Sequence, residues 1–219
     1  MAVKHMLTTS ILLGFFAVAG TSMVALTFDN TEVRIADNEY QALLQSLNAL
    51  VPPTSHDNDI ANDTVEVTAR ELLGSKKSST VYLARLKEIP IAAVITTIAP
   101  DGYNGAIKLL VAIRYDGTIS GVRVLNHKET PGLGDGIEIA RSDWITSFGG
   151  HSLHNPEGLG WRVKKDGGIF DQFTGATVTP RAVVKAVHNA LLYFEQHRDE
   201  LFKPSNATQT ATQVLEHGQ

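Results

Sequence analysis

The sequence predicts an α+β domain, on two observations. Runs rich in β-branched and aliphatic residues follow one another between residues 81 and 125, and an amphipathic helical pattern closes the folded region at 180–197. Strands grouped together with helices to either side, rather than alternating with them, indicate a small antiparallel sheet with flanking helices. A third observation sets what precedes it: a long uncharged stretch near the N-terminus reads as one transmembrane helix.

That stretch, Leu7 to Phe28, is LTTSILLGFFAVAGTSMVALTF. About 20 apolar residues in a helix cross the hydrocarbon core, whereas a signal peptide's apolar region runs to about 7–15. Its length favours an uncleaved anchor, with a cleavage site at the small residues Val18-Ala19-Gly20 as the alternative. Lys4 and His5 precede the span, and Asp29 and Glu32 follow it. Positive charge tends to stay inside, so the N-terminus is expected in the cytoplasm and everything after Phe28 is exported. Residues 1–28 are thus a cytoplasmic stub and anchor. Gly14, Ala17, Ala19 and Gly20 would let another helix approach closely.

Glu39 to Leu50 has helical spacing, with Leu43, Leu44 and Leu47 on one face, and Pro52-Pro53 stops it. Residues 54–64, TSHDNDIANDT, are polar and turn-rich. Residues 29–64 therefore read as a juxtamembrane helix and linker, and residues 65–203 as the folded domain. Within it, Val81 to Leu86 and Ile91 to Thr97 form a hairpin across Lys87-Glu88-Ile89-Pro90. Ala106 to Tyr115 and Ile119 to Leu125 form a second across Asp116-Gly117-Thr118. Ile137 to Phe148 suits a helix carrying Trp144, and residues 149–168 are glycine-rich and irregular. Pro180 to His197 places Val183, Val187, Ala190, Leu191 and Phe194 on one stripe, with Thr179 as N-cap and Pro180 at the first helical position. Residues 204–219 read as a polar, disordered tail.

Composition narrows the function. The 219 residues are 43% hydrophobic, enough for one core with length left for an anchor. The net charge of −4 and the scattered Lys and Arg give no footprint for nucleic acid. The absence of cysteine excludes disulfides, thiolate metal sites, Cys-ligated iron–sulfur clusters and a Cys nucleophile. His127, His151 and His154 lack metal-ligand spacing, so no metal site is expected.

Two segments carry chemistry. His127 to Gly136, HKETPGLGDG, follows the last strand. Its glycines would let backbone approach a flat ligand and expose N–H groups, while Glu129 and Thr130 add an acceptor and a hydroxyl. An ordinary turn-rich surface loop is the competing reading. Residues 171–177, DQFTGAT, lie directly before the last helix. A helix N-terminus has unpaired N–H groups and a partial positive charge, so it suits a phosphate. Gly175 and Ala176 are small, and Thr174 and Thr177 offer hydroxyls. Simple helix capping by threonine is the competing reading.

Asp171-Gln172-Phe173-Thr174-Gly175-Ala176-Thr177 resembles the flavinylation motif Asp-x-x-Ser/Thr-Gly-Ala-Ser/Thr, and Glu129-Thr130-Pro131-Gly132-Leu133-Gly134 resembles a second signature of the same FMN-binding domain family. The phrase FDQFTGATVTPRAVVKAV is closer to the G subunits of Rnf ion-translocating electron transport complexes than to the C subunits of sodium-pumping NADH:quinone oxidoreductases. The resemblance implies a small FMN-binding domain in which a flavin transferase joins FMN through its phosphate to Thr177. Thr174 is then a nearby hydroxyl ligand, and Gly175 and Ala176 leave room for the phosphate. Asp171 would suit the attachment step by engaging the hydroxyl or the transferase's metal, with a turn cap as its competing role. Glu129, Thr130, Gly132, Leu133 and Gly134 would wall the ring, with Leu133 on its face and the Gly132 and Gly134 N–H groups near its charge. Trp161 and Lys164, between the motifs, are further candidates for the cavity lining, with simple packing or a surface position as the competing reading for each.

The resemblance further implies a single-pass electron-transport subunit of a bacterial inner-membrane translocase, with the FMN domain in the periplasm. It would be a redox subunit rather than an enzyme on its own, with other membrane and redox subunits as partners and ferredoxin and NAD as the redox couple. A C subunit of the sodium pump, and a non-redox module holding an anion, are the two rival readings.

Overall fold

The runs IPIAAVITTIA and IKLLVAIR are apolar at almost every position, which a sheet supports only when both of its faces are covered. The computed structural model, which describes residues 2–203, meets that requirement. Its strands are β1 (Thr64–Val67), β2 (Ser79–Leu86), β3 (Ile89–Ala99), β4 (Ile107–Arg114) and β5 (Ile119–Asn126). They lie in the order β1-β2-β3-β4-β5, each antiparallel to the next. Among the described residues three α-helices accompany them: α1 (Ala2–Leu50), the single turn α2 (Arg70–Leu73), and α3 (Val178–Leu201). The antiparallel sheet with flanking helices is the architecture the sequence predicts.

One face of the sheet presents Val81, Leu83, Ala93, Ile95, Leu109, Val111 and Ile113 to a continuous core with Val183, Val187, Ala190, Leu191 and Phe194 of α3. Phe148, Trp161 and Phe170 complete this core. Val94, Leu110 and Ala112 have the opposite parity and are equally inaccessible. On that second face Leu50 lies against β5, where a Cβ added to Gly121 would stand 3.0 Å from the leucine Cδ2. The segment after α1 is tied to β2. The Asp57 N–H donates to the Arg85 carbonyl at 2.9 Å, and the Asn58 side-chain amide donates to the Leu83 carbonyl at 2.8 Å.

The chain divides into two compact units, one ending at Leu44 and one beginning at Gln45. In the first, Lys4–Ala25 is long and apolar enough to cross a membrane. The second takes in residues ahead of the boundary drawn at 65, because Leu47, Leu50 and Val51 are buried in it. The sequence suggests a break between the anchor and the 39–50 helix. Residues 29–38 contain neither glycine nor proline, and α1 runs through them without interruption.

Other local expectations change. Ile137 to Phe148 is not one helix but two short 3-10 turns, Asp135–Ile137 and Trp144–Phe148, with Ile137, Ile145 and Phe148 buried among them. The first hairpin is tighter than expected: β3 begins at Ile89, and Lys87 and Glu88 alone form the turn, with φ of 52° and 64°. Side chains rarely take this left-handed conformation. The Asp57 carboxylate helps hold it by accepting the Lys87 N–H at 2.9 and 3.0 Å. The polar tail at 204–219 lies outside the described residues.

Two outcomes follow for urea unfolding of the detergent-solubilised chain, read by Trp144 and Trp161. Glu88→Gly is expected to stabilise by about 1 kcal/mol, since glycine adopts positive φ without strain. Leu50→Ala is expected to destabilise by roughly 2–5 kcal/mol, as for a buried leucine; an effect near zero would show that the end of α1 does not belong to the core.

Candidate cofactor site

The strand β5 ends at Asn126 and delivers the chain into the 127–136 loop. His127 holds the start of that loop: its Nδ1 accepts the Glu129 N–H at 3.0 Å, and its Nε2 lies 2.5 Å from Glu138 Oε1. With Nδ1 accepting, Nε2 carries the proton and donates to the carboxylate. Further on, the Gly132 N–H donates to Asp135 Oδ1 at 2.8 Å and the Gly134 N–H to the Thr130 carbonyl at 3.0 Å. Both amides are spent on the loop's own turns. This corrects the expectation that they face a ligand. They shape the loop instead, with Gly132 at φ +77°.

Glu129 is 4% exposed and both its oxygens are engaged. Oε1 accepts the Asn104 N–H at 2.9 Å. Oε2 accepts the Thr179 hydroxyl in a short hydrogen bond. Thr179 is therefore not the N-cap. α3 begins at Val178, Thr177 occupies the cap, and Thr179 is fully buried inside the first turn. The hydroxyl that the sequence assigned to the helix end is drawn instead to the buried carboxylate. Gly134 fits against this pair only because it lacks a side chain: a Cβ there would lie 2.9 Å from Glu129 Oε2 and 3.1 Å from the Thr179 hydroxyl.

The second motif is held from below. Phe173 meets Trp144 edge to face at 5.2 Å, and the Trp144 indole N–H donates to the Asp171 carbonyl at 2.8 Å. Phe173 to Ala176 closes a turn through the Ala176 N–H and Phe173 carbonyl at 3.2 Å. Gly175 sits at its third position with φ +81°, the conformation a type II turn requires there. Arg181 of α3 grips Asp166 at 2.5 and 2.6 Å, and this guanidinium holds the Asp166 carboxyl below the usual carboxylate range. The turn therefore delivers Thr177, half-buried, to the end of α3, where its hydroxyl makes no capping hydrogen bond.

The two motifs meet across a cleft of about 140 Å³. Seven of the ten residues singled out in the sequence line it: Glu129, Thr130, Leu133, Gly134, Gly175, Ala176 and Thr177. A Cβ on Gly175 would stand 3.6 Å from Leu133 Cδ2, so the leucine lies over the glycine turn. Gly132 and Thr174 do not line the cleft, and Thr174 is exposed. Asp171 is also outside it and pairs with Lys164 at 2.6 Å on the surface. Trp161 is packed with Phe170, ring centroids 5.3 Å apart, and neither Trp161 nor Lys164 reaches the cleft. The sequence reading missed Tyr103, Val178 and Thr179, which complete the lining, and Asn104, which braces it. A larger groove of about 500 Å³ opens beside His127 and Glu138. It contains neither threonine of the second motif, so size does not identify the site.

Comparison with known proteins agrees with this geometry. Residues 102–192, which span both motifs and the larger part of α3, match a family model described as the FMN-binding domain. Residues 1–50, nearly coextensive with α1, match one described as the RnfG N-terminal region. The G subunit of the ion-translocating oxidoreductase complex of Pseudomonas aeruginosa (strain UCBPP-PA14) is 50% identical, over 93% of this chain and 95% of its own. The protein of that name from Aliivibrio fischeri (strain ES114) is 48% identical, over 90% and 95%. That from Vibrio cholerae serotype O1 (strain M66-2) is 47% identical, over 90% and 93%. The chain carries an FMN-binding domain and belongs to the family of G subunits of Rnf-type ion-translocating oxidoreductase complexes.

Proposed function

We propose that this chain carries FMN covalently, as a phosphoester of the Thr177 hydroxyl, and relays electrons inside a membrane complex that couples ferredoxin and NAD redox chemistry to ion movement. The observation that carries this reading is the state of Thr177. Thr177 lines the cleft and sits at the N-terminus of a 24-residue helix, and its hydroxyl makes no capping bond. A phosphate attached there would meet the unpaired N–H groups and partial positive charge of the helix end. Gly175 and Ala176 keep side-chain bulk away from the phosphate, and Leu133, Tyr103 and Val178 offer apolar surface to a ring.

The residues present therefore fit FMN. When bound, FMN supplies the redox chemistry, and the protein supplies position and surroundings. Glu129 contributes by posture rather than by contact through a free oxygen. Its carboxylate fastens the 100–105 turn and α3 to the motif loop, so the cleft walls are set before any cofactor arrives.

A threonine hydroxyl is a weak nucleophile at neutral pH, so attachment calls for a flavin transferase. In that step the Thr177 oxygen, giving up its proton, bonds to the FMN phosphorus of a phosphoanhydride donor as the anhydride P–O bond breaks and the other phosphate half leaves, so the chain gains the mass of one FMN less one water. Asp171 lies on the surface within the same motif, where an enzyme acting on Thr177 would reach it. The domain is assigned to the periplasmic side of a bacterial inner membrane, with the N-terminus in the cytoplasm and other membrane and redox subunits as partners. The apolar helix Lys4–Ala25, with Lys4 at its N-terminal end and Asp29 and Glu32 beyond its other end, supports that placement.

Made together with a flavin transferase, the denatured chain is expected to gain the mass of FMN less one water. Thr177→Ala is expected to gain nothing, and Asp171→Ala to gain it more slowly while folding normally. An unmodified wild-type chain, beside a modified control substrate, would refute covalent attachment and favour a module that binds an anion without redox chemistry. Glu129→Ala leaves the Asn104 N–H and Thr179 hydroxyl without their acceptor. Its cost to the unloaded chain is expected to be about 1–3 kcal/mol in urea unfolding.

A further inference from the structure

We propose that Tyr103 is a wall of the flavin site and packs its ring against the isoalloxazine of FMN held at Thr177. The inference rests on the attachment proposed above. No motif in the sequence points to Tyr103; its setting does.

The backbone on both sides of Tyr103 is fixed. Asn104, next in the chain, donates its backbone N–H to Glu129 Oε1 at 2.9 Å and its side-chain amide to the Thr130 hydroxyl at 2.8 Å. Gly102, on the other side, is so close to the same carboxylate that a Cβ would lie 3.0 Å from Oε1. A turn braced in this way would be free to bury its aromatic residue or to dispense with one. Instead Tyr103 is 70% exposed, and it borders the cleft that holds Thr177. The braced turn thus holds an aromatic ring at the lip of the cleft and outside the core.

The size of the cleft gives the lip its role. Pockets that enclose a small ligand have volumes of about 300–1,000 Å³. The cleft here holds about 140 Å³. With its phosphate at Thr177, FMN cannot lie wholly inside, and its ring must extend over the rim. The rim residues are apolar and half in water: Leu133 is 50% exposed and Val178 42%. Tyr103 supplies the flat surface among them, and aromatic faces pack well on one another in offset contact.

The test uses the full-length chain in detergent, loaded by a flavin transferase, as wild type, Tyr103→Phe and Tyr103→Leu. Loading is read by intact mass, ring contact by flavin fluorescence per bound FMN, and ring mobility by fluorescence anisotropy. A phenol touching a photo-excited flavin donates an electron that then returns, so emission is quenched without net reaction; a phenyl ring is too hard to oxidise. Tyr103→Phe is expected to brighten the flavin several-fold at unchanged anisotropy. Tyr103→Leu is expected to brighten it and lower the anisotropy. Yields and anisotropies equal to wild type in both loaded variants would overturn the role of Tyr103 and leave attachment at Thr177 standing. A wild-type chain without FMN mass would overturn both.

Discussion

One buried carboxylate organises the site. Glu129 lies at the meeting point of the 100–105 turn, the loop after β5 and the first turn of α3, and each of its oxygens accepts a hydrogen bond from another segment. Burying an acidic group is costly unless it is fully hydrogen-bonded, and the surrounding sequence is arranged to meet that demand. Gly102 and Gly134 give up side chains so that backbone can come close to it. Thr179 gives up the capping role its position in the sequence suggests. His127, tied to Glu138, accepts the Glu129 N–H and sets the angle at which the loop leaves the sheet. The cleft between the two motifs follows from these contacts, and Thr177 is left at the cap position, where its hydroxyl makes no capping bond.

Much of this was legible in the sequence, and the exceptions have physical reasons. Strands β3 and β4 were readable because both faces of the sheet are covered there, which makes their apolar runs long and dense; β2 and β5 were readable from β-branched and aliphatic residues beside turn sequences. β1 was missed because it has only four residues, alternately exposed and half-buried, and offers no run to detect. The helix expected at Ile137 to Phe148 had the right apolar residues. They are buried from two short turns instead, because residues 138–143 turn on a local network: the Ser142 hydroxyl donates to the Gly136 carbonyl at 2.6 Å, and the Arg141 N–H to the Glu138 carbonyl at 2.9 Å.

At the site, the motif residues were found because their spacing is distinctive. What escaped was tertiary. A Thr-Pro pair before a helical stripe reads as N-cap and first turn, and nothing local announces a carboxylate 50 residues away that claims the hydroxyl. Gly102-Tyr103-Asn104-Gly105 reads as an ordinary turn between strands, and only the fold shows it against Glu129. The aromatic residue between two glycines was the available signal. The start of the folded unit was likewise hidden. The leucines at 47 and 50 look like part of a separate juxtamembrane helix until their burial is seen.

The most direct measurement is the position of the flavin on the chain. Trypsin releases residues 166–181 as one peptide, which contains Thr174, Thr177 and Thr179 together. Fragmentation mass spectrometry of this peptide, from protein made in cells with an active flavin transferase, distinguishes the three. Only Thr177 lines the cleft at the helix end with a hydroxyl that makes no capping bond, so the whole modification should reside there. Modification of Thr174 would contradict the account, because the exposed turn rather than the end of α3 would then hold the phosphate. Modification of Thr179 would contradict it more deeply, since that hydroxyl would have to leave Glu129.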